Sequence, residues 1–256
     1  MKTGFDKNTD PGCAGIRLYV EKDYAGMSER AAALFAEALT DKPDGVFGFA
    51  TGGTPVGMYT RLVKRHQTDQ LDFSRAAAFN LDEYHPVRRD DPQSYYDFMQ
   101  KNLFALVNID PARTHIPDGG TDDPERECTA YEDKITAAGG IDLQILGIGS
   151  NGHIGFNEPA ETFSARTAYI TLAEATVRSN ARFFASEGDV PKHAVTMGIR
   201  TIMMSRRILL LASGEGKAAI LRETLRGPIT PRVPASVLQL HRDVTVVADE
   251  AAASLL

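Results

Sequence analysis

Asp142-Leu143-Gln144-Ile145-Leu146-Gly147-Ile148 runs without a break into Gly149-Ser150-Asn151-Gly152-His153-Ile154-Gly155-Phe156-Asn157-Glu158-Pro159. The first part is short, apolar and free of strict polar alternation, which is how a strand covered on both faces reads. The second part gathers glycines, amides, an imidazole and a carboxylate just past the strand's end. Outward from it the pattern recurs: residues 46–50, 76–81, 207–212 and 244–248 are apolar runs of strand length, and 16–20 is another. Helical stretches separate them, such as residues 23–39 with alanines and leucines at helical spacing. The alternation predicts an α/β fold, an open and mostly parallel sheet flanked by helices on both faces in a modified Rossmann-like arrangement.

In such sheets ligands bind beyond the carboxyl ends of the strands, so residues just past each apolar run are the candidates. Besides residues 149–159 these are Thr51-Gly52-Gly53-Thr54-Pro55, Asp82-Glu83-Tyr84 and Gly214-Glu215-Gly216-Lys217. The 256 residues fit one large domain, with the polar residues 1–15 as a loose leader. A net charge of −6 without any Lys/Arg block speaks against nucleic acid as a partner. No apolar run approaches the roughly 20 residues that span a bilayer, and residues 1–15 lack a secretory h-region, so no membrane partner and a cytoplasmic location are expected. Cys13 and Cys128, in unrelated contexts and without a neighbouring histidine, offer neither a disulfide framework nor a zinc cluster.

Thr51-Gly52-Gly53-Thr54-Pro55 puts two hydroxyls and two glycines between a strand and a helix whose first turn should begin near Pro55. Backbone N–H groups at a helix start attract anions, phosphate most naturally, although the Gly-Lys-Ser/Thr ending of a Walker loop is absent. The same residues also suit a plain strand-to-helix turn capped by Thr54. Lys217 and Arg182 could complete an anion site or be ordinary solvated cations. Asp82 and Glu83 are neighbours at a strand end, where successive side chains point to opposite faces, so at most one meets the cleft. Asp82 directly follows an apolar run, and desolvation there would raise its pKa towards that of a general base; a solvent-facing acidic pair is the alternative. His153 and Glu158 lie five residues apart in a loop and lack a third ligand, so acid–base chemistry without metal suits them better than a metal pair. Asn151 could fix the tautomer and orientation of the imidazole.

Taken together, residues 51–55, 79–84, 94–99, 147–159, 180–184 and 238–241 resemble the glucosamine-6-phosphate deaminase (isomerase) family, in the same order along the chain. The resemblance implies conversion of D-glucosamine 6-phosphate and water to D-fructose 6-phosphate and ammonia, with no metal or organic cofactor and a small amino-sugar phosphate as the only partner. It implies Asp82 as the base that moves a proton between C2 and C1, and His153, coupled to Glu158 and Asn151, as the group that assists pyranose opening. Thr51, Gly52, Gly53, Thr54, Arg182 and Lys217 would hold the phosphate. Asn151 stands where many members carry Asp, which leaves ring opening to the His153–Glu158 pair and alters the pH profile. Ala168 and Ile170 occupy positions where some hexameric members carry cations for an N-acetylglucosamine 6-phosphate activator, and the chain stops at Leu256 without a longer C-terminal extension. No activation of that type is therefore expected, and a monomer or small homo-oligomer is. Alternatives are a galactosamine-6-phosphate deaminase, a 6-phosphogluconolactonase and a non-catalytic sugar-phosphate sensor; residues 155–159 and Asp82-Glu83-Tyr84 resemble the deaminase forms.

Overall fold

The computed structural model describes residues 16–256, so the expected leader over residues 1–15, with Cys13, lies outside the described residues. The chain begins with β1 (Ile16–Glu21), α1 (Tyr24–Asp41), β2 (Val46–Phe49), α2 (Gly53–Asp69), β3 (Ala77–Asn80), β4 (Asp82–His85) and α3 (Tyr95–Asn102). It continues through β5 (Thr114–His115), α4 (Pro124–Ala137), β6 (Leu143–Gly147), β7 (Ala168–Thr171), α5 (Glu174–Asn180) and β8 (His193–Thr196). The last elements are α6 (Ile199–Met203), β9 (Arg207–Ala212), α7 (Ala218–Arg226) and β10 (Val244–Asp249). Seven strands form a parallel sheet in the order β1-β10-β9-β6-β2-β3-β5.

Every residue of β2, β3 and β10 is buried, which is why these strands read as mainly apolar runs without regular polar alternation. On one face Phe35 of α1 meets Phe47 and Phe49 with ring centroids 4.9 and 5.6 Å apart. Phe79 pairs in register with Gly48, so it points the other way, and there it meets Tyr131 of α4 edge-on at 5.8 Å. Helices therefore cover both faces. From β2 the chain steps outward through β3 to β5; β6 lies on the other side of β2, and from it the chain steps through β9 to β10. The carboxyl ends of β2 and β6 flank the point where this direction reverses, and there the fold opens a crevice.

Two features depart from the sequence expectations. A second, antiparallel sheet, β4-β8-β7, is invisible in the hydrophobic pattern because Asp82-Glu83-Tyr84-His85 and its partners mix polar and apolar residues. Asp82 consequently begins a strand instead of following one, with Leu81 alone between it and β3. The second departure is at α2, which starts at Gly53, with Gly52 as N-cap at φ +89° and no side-chain cap bond, so Thr54 does not cap it. The chain turns into the helix through a left-handed residue, which favours glycine, and Pro55 falls inside the first turn, where its missing N–H loses nothing. No helix among the described residues is long and apolar enough to cross a membrane.

Candidate active site

A cavity of about 510 Å³ lies at the ends of β2 and β6, lined by Thr51, Gly52, Gly53, Thr54, Asp82, Asn151, His153, Arg182 and Lys217 among others. Glu158 stands off it, in the wall of a smaller neighbouring cavity of about 210 Å³. The N-cap of α2 makes no side-chain hydrogen bond, and Gly52, Gly53 and Thr54 at the helix start line the main cavity. Lys217 is delivered by a tight turn whose Gly214 N–H donates to Asp249 at the end of β10, 3.0 Å away. Its ammonium donates to the Ile148 carbonyl at 2.7 Å. Burial first, and the nearby Arg182 guanidinium second, hold the Lys217 pKa below its ordinary value. Two cations that repel each other in a partly desolvated place are stabilised by an anion between them.

Asp82 is 5% exposed, and burial, followed by the neighbouring Glu83 carboxylate, pushes its pKa up to about 8. Glu83 points away, as alternation along a strand requires. Its carboxylate accepts the N–H groups of Tyr84, Tyr95 and Tyr96, each at 2.9 Å, and so anchors the start of α3. Burial raises its pKa in spite of those donors. Of the acidic pair, Asp82 faces the cavity and Glu83 builds the frame.

The His153 ring packs where a side chain on Gly149 would stand: a Cβ there would meet the ring carbons and nitrogen at about 2.4 to 2.5 Å. Gly149→Ala should therefore push the imidazole aside and lower kcat about a hundredfold, the usual effect of an ångström-scale misplacement, while the circular dichroism spectrum stays that of the parent. Steady-state rates and spectra of the purified variant check this. His153 Nδ1 lies 3.4 Å from Glu158 Oε2. That is too long for a good hydrogen bond, and the buried Nδ1 has no hydrogen-bond partner. Glu158 accepts from Asn151 Nδ2 at 2.6 Å and from the Thr176 hydroxyl. Burial resists its ionisation, yet the adjacent His153 and the Thr176 and Asn151 donors outweigh it and hold the pKa below the usual value.

The hydrogen bonds of the Asn151 side chain go to Glu158 and to the backbone of His153 instead of to the imidazole, contrary to the sequence expectation. The Asn151 Oδ1 accepts the backbone N–H of His153 at 3.2 Å while its amide serves Glu158. A short side chain two residues upstream reaches its own backbone more readily than an imidazole beyond it. An aromatic wall also escaped the sequence reading. Tyr84 packs against Tyr95, Phe156 and Phe184 at 4.7, 5.5 and 5.7 Å, and Asn180 Nδ2 donates to its hydroxyl at 2.8 Å. Tyr84 lies two residues along a strand from Asp82 and shares its face, a signal that was available once β4 was recognised. Among the described residues no group of three or more His, Cys, Asp or Glu side chains is placed to hold a metal ion.

Residues 22–247 match the family described as glucosamine-6-phosphate isomerases/6-phosphogluconolactonase. The chain is 55% identical over 241 residues to the glucosamine-6-phosphate deaminase of Clostridioides difficile (strain 630), covering 94% of this chain and 97% of that protein. To the glucosamine-6-phosphate deaminase of Halothermothrix orenii it is 52% identical over 241 residues, covering 94% and 100%. The fold superposes on a monomeric glucosamine-6-phosphate deaminase with a TM-score of 0.91 at 48% identity, covering 94% of this chain and 100% of that one. A 6-phosphogluconolactonase from Trypanosoma brucei reaches a TM-score of 0.74 at 20% identity over 95% and 98% of the two chains, a likeness of fold alone. With a matching sheet, a matching length and half of its residues in common with these deaminases, the chain belongs to the glucosamine-6-phosphate isomerase/6-phosphogluconolactonase family.

Proposed function

We propose that the protein converts D-glucosamine 6-phosphate and water to D-fructose 6-phosphate and ammonia. One observation carries this reading: a buried carboxyl, an imidazole backed by a carboxylate, an uncapped helix N-terminus and two cations serve the same cavity. The deaminases more than half identical to the chain favour amino-sugar chemistry over ester hydrolysis.

The phosphate sits on the first turn of α2, flanked by Thr51, Thr54, Arg182 and Lys217, and so supplies orientation from a part of the substrate that does not react. His153 takes the proton of the anomeric hydroxyl and returns one to the ring oxygen, which opens the pyranose; Glu158 stabilises the imidazolium in between. The opened aldehyde acidifies the C2 proton. Asp82 removes it while the C1 oxygen takes up a proton from the substrate ammonium, which gives a cis-enolamine; Asp82 then delivers its proton to C1, and water displaces ammonia from the resulting C2 imine. Burial makes Asp82 a stronger base than an exposed aspartate.

Lys217→Met keeps the stem of the side chain and removes its charge. It should lower kcat/KM about 10- to 100-fold, most of it in KM, as expected for a lost charge-assisted hydrogen bond. Steady-state kinetics and competition by inorganic phosphate check this. We further expect a monomer or small homo-oligomer, and hyperbolic kinetics because Ala168 and Ile170 on β7 offer no charge to an anionic activator. The functional test is ammonia release by the purified protein from glucosamine 6-phosphate and galactosamine 6-phosphate, set against hydrolysis of 6-phosphogluconolactone. Ammonia from the gluco epimer is expected; lactone hydrolysis without ammonia, or tight sugar-phosphate binding without turnover, would overturn the proposal.

A further inference from the structure

We propose that Thr176 is a positioning residue for ring opening, its hydroxyl fixing the Glu158 carboxylate behind His153 and tying that pair to the helix that leads to Arg182. The inference rests on the function proposed above.

Both oxygens of Glu158 are engaged. Oε2 accepts from Asn151 and faces His153 Nδ1 at 3.4 Å, while Oε1 accepts from Thr176. Rotation of the carboxylate would break one set of contacts or the other. Asn151 belongs to the same loop as Glu158 and moves with it, whereas Thr176 comes from α5. Threonines within the longer helices, Thr40, Thr60 and Thr129, donate to the carbonyl four residues back. Thr176 sits in the first turn of α5, before the helix has such a carbonyl to offer, and its hydroxyl goes to Glu158. At 4% exposure it has little water to turn to.

The far end of α5 is fastened as well. Asn180 donates to the Tyr84 hydroxyl, and Tyr84 lies two residues along β4 from Asp82. The 3-10 turn that follows, Ala181–Phe183, carries Arg182 into the lining of the main cavity. A single two-turn helix thus touches the carboxylate behind the imidazole with its first turn and the aromatic wall with its last, and hands over to a phosphate ligand.

Two substitutions separate the hydroxyl from the packing around it. Thr176→Val keeps the shape and loses the donor; Thr176→Ser keeps the donor and loses the methyl. Thr176→Val should lower kcat about tenfold with KM within about twofold of the parent, and Thr176→Ser should stay within about twofold in both. Loss of a donor raises the pKa of the carboxylate it served, so the deficit of Thr176→Val should grow as the pH falls. Should the valine variant not fold, Thr176→Ala is read in the same way. The inference is overturned if Thr176→Val matches the parent, if Thr176→Ser falls as far as Thr176→Val, or if the deficit is the same at every pH. A parent protein that releases no ammonia would instead overturn the functional reading.

Discussion

Asp82→Asn is expected to lower kcat for ammonia release about a thousandfold while KM changes no more than a few-fold. The amide keeps the size and the planar shape of the carboxyl, so cavity and phosphate grip persist and only the proton acceptor goes. Stability supplies an independent check whose sign follows from the burial of this group. Folding raises its pKa from the ordinary 3.8 to about 8. Between those values the native protein binds a proton that the unfolded chain has released, so stability falls as pH rises through that window. The asparagine variant is free of this penalty. Its melting temperature relative to the parent should climb from about pH 4 to about pH 8 and level off above. Turnover equal to the parent, or a variant that loses ground as pH rises, would contradict the role given to Asp82.

His153→Gln is expected to lower kcat about a hundredfold, with inhibition by inorganic phosphate unchanged. A pyranose hides its carbonyl, and without an imidazole to carry the proton from the anomeric hydroxyl to the ring oxygen the base at C2 has little open-chain substrate to act on. Removing the ring also takes one of its neighbours from Glu158, which keeps its Asn151 and Thr176 donors. Its pKa is lowered in the native protein, and the imidazole provides part of that lowering, so the parent holds stability above the unfolded carboxyl pKa that is lost as pH falls through the lower native one. The variant should lack part of that acid-side slope in a series of melting temperatures. A kcat within threefold of the parent would remove His153 from the relay.

How much of this was legible in the chain follows from what each segment packs against. The runs that became β2, β6, β9 and β10 are covered on both faces, and double coverage leaves a continuous apolar record. Their carboxyl ends could be located, and with them Thr51–Thr54, the His153 loop and Lys217. The small antiparallel sheet left no such record, because β4 buries Asp82 and Glu83 for reasons of site and frame instead of core packing. Thr54 does not cap α2 because the chain enters the helix through the left-handed Gly52. Partnerships between distant segments were out of reach: Thr176 with Glu158, and Asn180 with Tyr84, exist only once α5 is laid beside the catalytic loop and β4.

The proposed chemistry requires above all that the fold itself prepare Asp82 as a base before any substrate arrives. Carbon-13 NMR of carboxyl-labelled, ligand-free protein, titrated beside Asp82→Asn to assign the signal, measures that property without interference from the substrate's own ionisations. The expected result is one aspartate carboxyl, missing from the variant, that titrates near 8. An Asp82 signal that titrates with the exposed carboxyls, near pH 4, would contradict it.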